Sequence, residues 1–277
     1  MNFMMKGDSF MFNEDKNIAA AQKVMLDILI EVHKICVKHN ITYWLEAGTL
    51  LGAVRHKGFI PWDDDCDISM PREDYEKFLE IAQNELPKNM FLQTKYTDPE
   101  CTIRWAKVRK NGTLLIQKNE TGKENFHHGI FIDIFPYDGY KYGFVLRMME
   151  WLRTFKDKKN KYPKKSFIRI LVTIYTNIIM CIPVQITVAI CNYLIRNKGI
   201  ICDDTGKYFT YGLECENVRV TKKTDVLPVR LNNKVFEGYN FYVPNKPQNV
   251  LKANFGTDFM TLPPVEKRET HAVTIKL

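Results

Sequence analysis

The chain lacks the short motifs that define several common enzyme and binding classes. Its 277 residues contain no P-loop, no GxGxxG, no HExxH and no zinc-type cysteine or histidine spacing. These absences exclude the motif-defined P-loop NTPases, dinucleotide-binding domains, zincins and zinc fingers. There is also no internal repeat, which excludes a solenoid or propeller.

Paired cysteines are missing as well. The seven cysteines are odd in number and scattered, without a CxxC pair. Such a set does not form a disulfide framework. The first residues also lack an apolar core of the length that a signal peptide needs. We therefore expect reduced, buried thiols in a cytoplasmic protein.

The charge balance limits the choice of partners. Lysine and arginine exceed the acidic residues to give a formal net charge of +8, while hydrophobic residues make up 45% of the chain. A basic globular protein binds negative partners, such as nucleic acid, anionic lipid or phosphorylated substrates. No recognisable nucleic-acid reader motif is present, so we expect no nucleic-acid partner.

Four aspartates occupy five consecutive positions after the apolar, aromatic lead-in that ends at Trp62. In an extended strand Asp63, Asp65 and Asp67 would share one face, and Asp64 would point to the other. Carboxylates crowded on one face repel each other unless a cation lies among them. Mg²⁺ takes hard oxygen ligands from one or two carboxylates and from substrate phosphates. The pattern favours a metal-phosphate site over the alternatives, a polar turn or a calcium loop.

A glycine-threonine turn precedes the acidic run. Residues 41–45 read as a strand that runs into Gly48 and Thr49, where a short helix is predicted to begin. Free N–H groups at a helix N-terminus bind anions, and glycine lets a ligand approach the backbone closely. Arg55 and Lys57 add positive charge beside this turn, either to contact substrate or as solvated side chains.

One further acid and one further cation stand out downstream. Asp133 lies inside an apolar strand, where a lone carboxylate is costly unless it is paired or bound to metal. We expect it to be a third metal ligand or a general base, with a loop-capping carboxylate as the alternative. Lys107 lies on a predicted strand and shares a face with Arg109. It would contact phosphate or form a solvated strand edge.

The composition changes after residue 143. A helix is predicted over residues 144–155, a basic linker over 156–165, and an uncharged segment over 170–195. The uncharged segment is long enough to cross a bilayer, but Pro183 interrupts it. A helical hairpin in the protein core or at the membrane interface is the preferred interpretation. Three parts are predicted: a catalytic core (1–145), an insertion (146–206) and a C-terminal α/β part that completes the catalytic domain (207–277).

Three blocks of the sequence resemble the LicD family. Residues 48–68 resemble its long signature, and residues 131–136 resemble its second block. The C-terminal block corresponds to residues 236–238, 243–244, 255–256 and 262–264, followed by Arg268 and His271.

The resemblance implies a fold and an activity. The expected fold is α+β, with a nucleotidyltransferase-like mixed sheet flanked by helices and a helical insertion. Bacterial members of the family transfer phosphocholine from CDP-choline to sugars of teichoic acid or lipopolysaccharide. Fukutin-related proteins transfer other phospho-alditols from CDP donors. We therefore expect Mg²⁺-dependent transfer of phosphocholine from CDP-choline to a sugar hydroxyl, with release of CMP. The alternatives are transfer of ribitol or glycerol phosphate from its CDP donor, true nucleotidyl transfer that releases pyrophosphate, and an inactive scaffold.

The resemblance also implies roles for individual residues. Asp65 and Asp67 correspond to the Asp-x-Asp metal ligands, Asp133 to the third carboxylate, and Asp63 to an additional catalytic acid. Donor and acceptor are expected to be bound by seven residues: Gly48, Thr49, Arg55, Lys57, Trp62, Lys107 and His271. Aromatic faces would meet the choline ammonium, with Trp62, Trp105, Tyr137 and Tyr140 as candidates. A lipid-linked glycan acceptor and peripheral contact with the inner face of the cell membrane complete the expectation.

Overall fold

The computed structural model describes residues 8–140, 206–212, 215, 220–231 and 236–277, with side chains described from residue 17 onward. The predicted basic linker (156–165) and uncharged segment (170–195) lie outside the described residues. The proposed three-part division of the chain therefore stays a prediction. Within the described helices, none has the length and apolar character needed to cross a membrane.

The chain forms two compact units. The larger comprises Met1–Tyr137 and Thr224–Leu277, and the smaller comprises Asp138–Lys223. The larger unit contains a mixed sheet with strand order β1-β2-β6-β4-β3. These strands are β1 (Trp44–Leu45), β2 (Asp67–Pro71), β3 (Met90–Gln93), β4 (Ala106–Lys110) and β6 (Phe131–Tyr140). β2 and β6 run parallel, and the other neighbours in this order are antiparallel.

Helices flank this sheet, which confirms the predicted α+β class. The described helices are α1 (Asp8–Lys38), α2 (Ala47–Arg55), α3 (Arg72–Glu85), the single turn α4 (Lys223–Val226) and α5 (Pro247–Phe255). Apolar residues spaced by three and four positions predict one buried stripe on α1, and all six of them are buried: Ile18, Ala21, Met25, Ile28, Val32 and Ile35. Its period of three to four residues places one face of the helix against the core.

Short strand pairs complete the described structure. In the larger unit β5 (Leu114–Gln117) pairs with β11 (Ala272–Lys276), and β9 (Arg230–Leu231) pairs with β10 (Tyr242–Val243). In the smaller unit β7 (Tyr208–Tyr211) pairs with β8 (Thr221–Lys222). A short 3₁₀ helix, Val265–Lys267, precedes β11. The four described cysteines are buried and free, as expected: Cys36, Cys66, Cys101 and Cys215.

The sequence pattern around the acidic run predicts a strand over residues 59–70, and this prediction is wrong in its first two thirds. β2 begins only at Asp67, and the chain before it turns, with the Asp63 N–H donating to the Ile60 carbonyl (2.9 Å). The Gln22 side chain of α1 holds this turn by donating to the carbonyls of Ile60 (2.9 Å) and Asp63 (2.8 Å). The first three acids of the run therefore lie on a loop.

The Asn111-Gly112 dipeptide predicts a β-hairpin that joins residues 105–108 to residues 113–117, and this prediction is also wrong. The turn forms, with Gly112 at a φ of 78°, but the strands on its two sides belong to different sheets. β4 pairs with β3 and β6, whereas β5 pairs with β11. The local turn signal was correct, and long-range pairing with the C-terminal strand decided the partner of β5.

Candidate active site

Four polar side chains form a row across adjacent strands, here called the polar row. Register pairs Gln93 with Lys107, Lys107 with Asp133, and Asp133 with Asp67. Directly paired residues present their side chains on the same face of a sheet. The row continues to Glu46, whose N–H donates to the Asp67 carbonyl (3.0 Å). The fold thus places two acids separated by 66 positions in sequence side by side on parallel strands.

The loop acids join this row to form the acidic cluster, defined as Asp63, Asp65, Asp67 and Asp133. Burial raises the pKa of Asp63 and Asp67 well above their ordinary value, and the Asp65 charge raises both further. Burial also raises the pKa of Asp65, followed by the charges of Asp133 and Asp64. The direct interaction between Asp63 and Asp65 adds to the rise in pKa at Asp63 and opposes the rise at Asp65. The structure therefore brings together all four acids that the sequence singled out as catalytic.

Asp64 faces a different partner. Its Oδ2 accepts the N–H of His271 (2.7 Å) and that of Ala272, at the start of β11. Its Oδ1 lies 3.3 Å from Nδ1 of His271, and this contact raises the pKa of His271. His271 also lies 3.8 Å from an Asp65 oxygen. Asp64 thus fastens the C-terminal strand beside the acidic cluster.

Gly48 and Thr49 support the acids from α2. The buried Thr49 Oγ1 accepts the N–H of Asp67 (2.8 Å), so the hydroxyl fixes the start of β2. A Cβ at Gly48 would come within 2.6 Å of Oδ2 of Asp63. Glycine therefore lets the Asp63 carboxylate pack directly against the helix backbone, and a Cβ at this position would displace that carboxylate.

Asp133 is held from two sides. The Lys107 ammonium lies 2.9 Å from Oδ1 and 3.1 Å from Oδ2 of Asp133, and the indole Nε1 of Trp105 donates to Oδ1 (2.5 Å). The ammonium also lies 3.3 Å from the centroid of the Phe131 ring. Burial lowers the pKa of Lys107, and Asp133 opposes that shift. Lys107, predicted to contact substrate, is thus buried against the third carboxylate.

The remaining predicted substrate residues contact the C-terminal segment of the chain, between residues 237 and 268. Arg55 donates to backbone carbonyls of residues 259 and 261, and the Trp62 ring lies under the guanidinium of Arg268. Lys57 is exposed at a φ of 63°, and its carbonyl accepts the N–H of Glu237 (3.1 Å).

Glu46 is a site residue that sequence reasoning missed. It is fully buried, accepts the indole N–H of Trp44 (2.7 Å) and adds to the raised pKa of Asp67. The Asn254 amide of α5 lies 3.4 Å from its other oxygen. A carboxylate placed directly between an apolar strand and a Gly-Thr turn was the available signal. Glu46 extends the carboxylate set beyond the four predicted acids.

Comparison with known proteins assigns the family. Residues 40–180, just over half of the chain, match the LicD/FKTN/FKRP nucleotidyltransferase domain. The chain belongs to the LicD family. The matched range holds every acid of the cluster, and the prediction of a LicD-type transferase is confirmed.

Named LicD relatives are phosphate-group transferases. The lipopolysaccharide cholinephosphotransferase LicD of Haemophilus influenzae is 27% identical over 274 residues, covering 91% of this chain and 94% of that protein. Human ribitol 5-phosphate transferase FKRP is 56% identical over 35 residues, covering 13% of this chain and 7% of that protein. An uncharacterised Rickettsia prowazekii protein is 34% identical over 132 residues, covering 44% and 47% of the two chains.

Proposed function

We propose that this LicD-family enzyme transfers phosphocholine from CDP-choline to a sugar hydroxyl of a cell-surface glycan precursor, releasing CMP. The observation that carries the proposal is the similarity to a cholinephosphotransferase along nearly the whole of both chains. The acidic cluster supplies a site for the chemistry. Teichoic acid and lipopolysaccharide are the proposed acceptor classes.

The acidic cluster fits a divalent cation by its chemistry. Burial and the charges of neighbouring carboxylates raise the pKa values of Asp63, Asp65 and Asp67, and Oδ2 of Asp63 is buried without a hydrogen-bond partner among the described residues. Oxygen donors of this kind suit Mg²⁺. Among the described residues, no three carboxylate, imidazole or thiol groups are spaced closely enough to hold a metal ion. These carboxylates would therefore move closer together when they bind a cation. Asp65, Asp67 and Asp133 would hold it, and bound Mg²⁺ would offset charge on the donor pyrophosphate.

The proton of the acceptor hydroxyl needs a base. The sugar oxygen forms a bond to the phosphorus that carries choline, the bond from that phosphorus to the CMP oxygen breaks, and the hydroxyl proton passes to a carboxylate. Both oxygens of Asp133 already accept hydrogen bonds, Oδ1 from Trp105 and Oδ2 from Lys107. Asp63, whose pKa is raised well above its ordinary value, is therefore the better proton acceptor.

The remaining predicted residues receive proposed roles from their positions. Gly48 and Thr49 hold Asp63 and the start of β2, so their contribution to donor binding is the placement of these acids. Lys57 is exposed and would reach acceptor or phosphate, and His271 lies next to Asp65. The Gly-Thr turn and the acids on adjacent strands support a nucleotidyltransferase-like core.

Transfer of another phospho-alditol is the second candidate. A 35-residue segment is 56% identical to ribitol 5-phosphate transferase FKRP. This local match covers little of FKRP, whereas the cholinephosphotransferase match covers nearly all of its protein. Ribitol or glycerol phosphate from a CDP donor is therefore the alternative substrate class.

The acceptor class leads to a proposal about location. A lipid-linked glycan precursor would be met at the inner face of the cell membrane, and the basic segment 156–165 would attract anionic lipid there. Co-sedimentation with anionic vesicles at low salt, lost on charge reversal of residues 156–165, is the expected result. Equal sedimentation of the wild type and this variant would reject the role of the basic segment.

Product analysis tests the proposed reaction. The protein would be incubated with Mg²⁺, a lipid-linked acceptor and, in parallel, CDP-choline, CDP-ribitol or CDP-glycerol. Acceptor-dependent CMP release with CDP-choline as the best donor is expected. Release of pyrophosphate from CTP and a phosphorylated substrate, without CMP from any donor, would establish nucleotidyl transfer instead.

A further inference from the structure

Two arginines beside the acidic cluster are anchored to one short loop, residues 259–263, here called the carbonyl loop. Arg55 donates from Nη1 to the carbonyls of Phe259 (2.9 Å) and Thr261 (3.3 Å). Arg268 donates from Nε to the carbonyl of Pro263 (3.1 Å). Neither guanidinium forms an ion pair with a carboxylate among the described residues. Both guanidinium groups are therefore fixed in position without an ion-pair partner among the described residues.

Trp62 fixes the orientation of the second arginine. The guanidinium carbon of Arg268 lies 4.4 Å from the centroid of the Trp62 ring, within the range of a cation–π contact. Nε is bonded to the carbonyl loop, whereas Nη1 and Nη2 have no partner among the described groups. Arg268 is only partly buried. A planar guanidinium that is held by its Nε and its face, with both Nη groups open, suits bidentate binding of an oxyanion.

The two arginines lie near Asp63, the first acid of the cluster in the sequence. Trp62 directly precedes Asp63 in the chain, and Arg55 interacts electrostatically with both Asp63 and Arg268. Burial lowers the pKa of Arg55, and the Arg268 charge lowers it further. An anion would relieve the repulsion between the two arginines. A phosphate group with a bound cation would satisfy both the arginines and the carboxylates.

We propose that Arg268 and Arg55, with Trp62 as the platform, form an anion subsite for phosphate oxygens of a nucleoside diphosphate-linked donor. The identity of the donor rests on the proposed function, whereas the binding of a diphosphate anion does not. Trp62 acts here as a positioning residue, because the face that lies under Arg268 is not available to a choline ammonium. Arg268 lies about 200 residues beyond the signature at residues 48–68, and the fold brings it next to Trp62.

Calorimetric titration with inorganic pyrophosphate, without divalent metal and at about 100 mM salt, tests the subsite directly. Arg268→Met removes the guanidinium group that would bind the anion. The matched control Lys267→Met removes the same charge from the exposed neighbouring residue. Hydrogen bonds to charged groups are stronger than neutral ones, so we expect Arg268→Met to weaken pyrophosphate binding at least about tenfold. Lys267→Met should change it less than about twofold.

Two further variants keep the test decisive if Arg268→Met folds poorly. Arg268→Lys keeps the charge but loses the planar fork, and Trp62→Leu keeps the arginine but loses its platform. Each should weaken pyrophosphate binding about threefold or more. Equal weakening by the Arg268 variants and Lys267→Met would overturn the subsite, since only net charge would then matter. Wild-type affinity in Arg268→Met would overturn it as well.

Failure of the subsite and failure of the proposed function give different results. Pyrophosphate binding that depends on Arg268, in a protein that releases no CMP from any CDP donor, would retain the subsite and reject the reaction. CMP release by Arg268→Met with the wild-type KM for CDP-choline would retain the reaction and reject the subsite.

Discussion

Lys107 and Asp133 face each other on neighbouring antiparallel strands, with the Lys107 ammonium 2.9 Å from the carboxylate. Only 3% of the Lys107 side chain and 9% of the Asp133 side chain are exposed. A buried charge is costly unless it is paired. The third carboxylate of the acidic cluster is therefore paired with a cation that belongs to the fold.

Removing Lys107 should destabilise the protein. Lys107→Met leaves Asp133 buried with the Trp105 indole as its remaining described donor. Breaking a buried pair at one partner costs about 3–5 kcal/mol, and we expect a loss of that order in the free energy of unfolding. Urea denaturation followed by circular dichroism measures it.

A second substitution and a surface pair serve as controls for Lys107→Met. Adding Asp133→Asn should restore part of the lost stability, because the unpaired charge is then gone. Lys34→Met breaks the exposed pair with Glu31 and should cost less than about 1 kcal/mol. Equal effects of Lys107→Met and Lys34→Met would contradict the buried-pair interpretation.

Gly48→Ala should impair activity more than stability. The new Cβ would meet Oδ2 of Asp63 at 2.6 Å, and a side-chain oxygen can move. Alanine also favours the helix by up to about 1 kcal/mol. We expect CMP release to fall at least about tenfold, with little change in the free energy of unfolding.

Gly52→Ala is the contrasting control for Gly48→Ala. Its Cβ would meet the backbone carbonyl of Gly58 at 2.4 Å, and a backbone atom in a packed site gives way at a cost of about 1–3 kcal/mol. Gly52→Ala should therefore lose stability. If Gly48→Ala retained wild-type activity, the close packing of Asp63 against α2 would have no role in the reaction.

Asp64→Asn should be the mildest of the four substitutions in the acidic run. Asparagine keeps an acceptor oxygen for the N–H groups of His271 and Ala272. Asp64→Ala leaves both without that acceptor, at a cost of about 1–3 kcal/mol if they stay dry. Comparison of thermal midpoints and CMP release for the two variants checks this. An Asp64→Asn variant as inactive as Asp67→Asn would place Asp64 in the chemistry.

Mg²⁺ should stabilise the protein more at pH 8 than at pH 5. The folded-state pKa values of Asp63, Asp65 and Asp67 are raised above the unfolded value of about 3.9. Their ionisation therefore costs folding free energy; this cost is absent below the unfolded pKa and complete above the folded values. A cation bound among ionised carboxylates offsets that cost.

Thermal midpoints with and without Mg²⁺ at both pH values measure this linkage. In Asp67→Asn the metal-free midpoint at pH 8 should rise and the response to Mg²⁺ should shrink. A Mg²⁺ response that is equal at both pH values, or unchanged in Asp67→Asn, would place the cation elsewhere.

The sequence predicts those features that depend on residues close together in the chain. The sequence pattern predicts an apolar stripe on α1, a short helix over residues 247–255 and a turn at Glu237-Gly238, and the structure contains all three. The density of aspartates between 63 and 67 indicated the acidic cluster because ordinary packing does not favour such crowding.

Contacts between distant segments were beyond reach of the sequence pattern. The pairing of Lys107 with Asp133 depends on strand register, and the partner of β5 lies more than 150 residues away. The hydrogen bonds of Gln22 turn residues 60–63 into a loop, although alternation alone suggested a strand. Arg268 and Trp62 meet only because the C-terminal segment folds back over the acidic loop.

The most direct test of the acidic cluster as the centre of phosphate transfer is Mg²⁺-dependent CMP release from CDP-choline. It would be compared between the wild type, Asp67→Asn and the exposed-carboxylate control Asp27→Asn. Asp67 lies within the acidic cluster, whereas Asp27 lies on the exposed side of α1. We predict that Asp67→Asn remains folded and loses at least about 100-fold of the activity, while Asp27→Asn retains it. CMP release by Asp67→Asn within tenfold of the wild type would contradict the assignment of the acidic cluster as the centre of phosphate transfer.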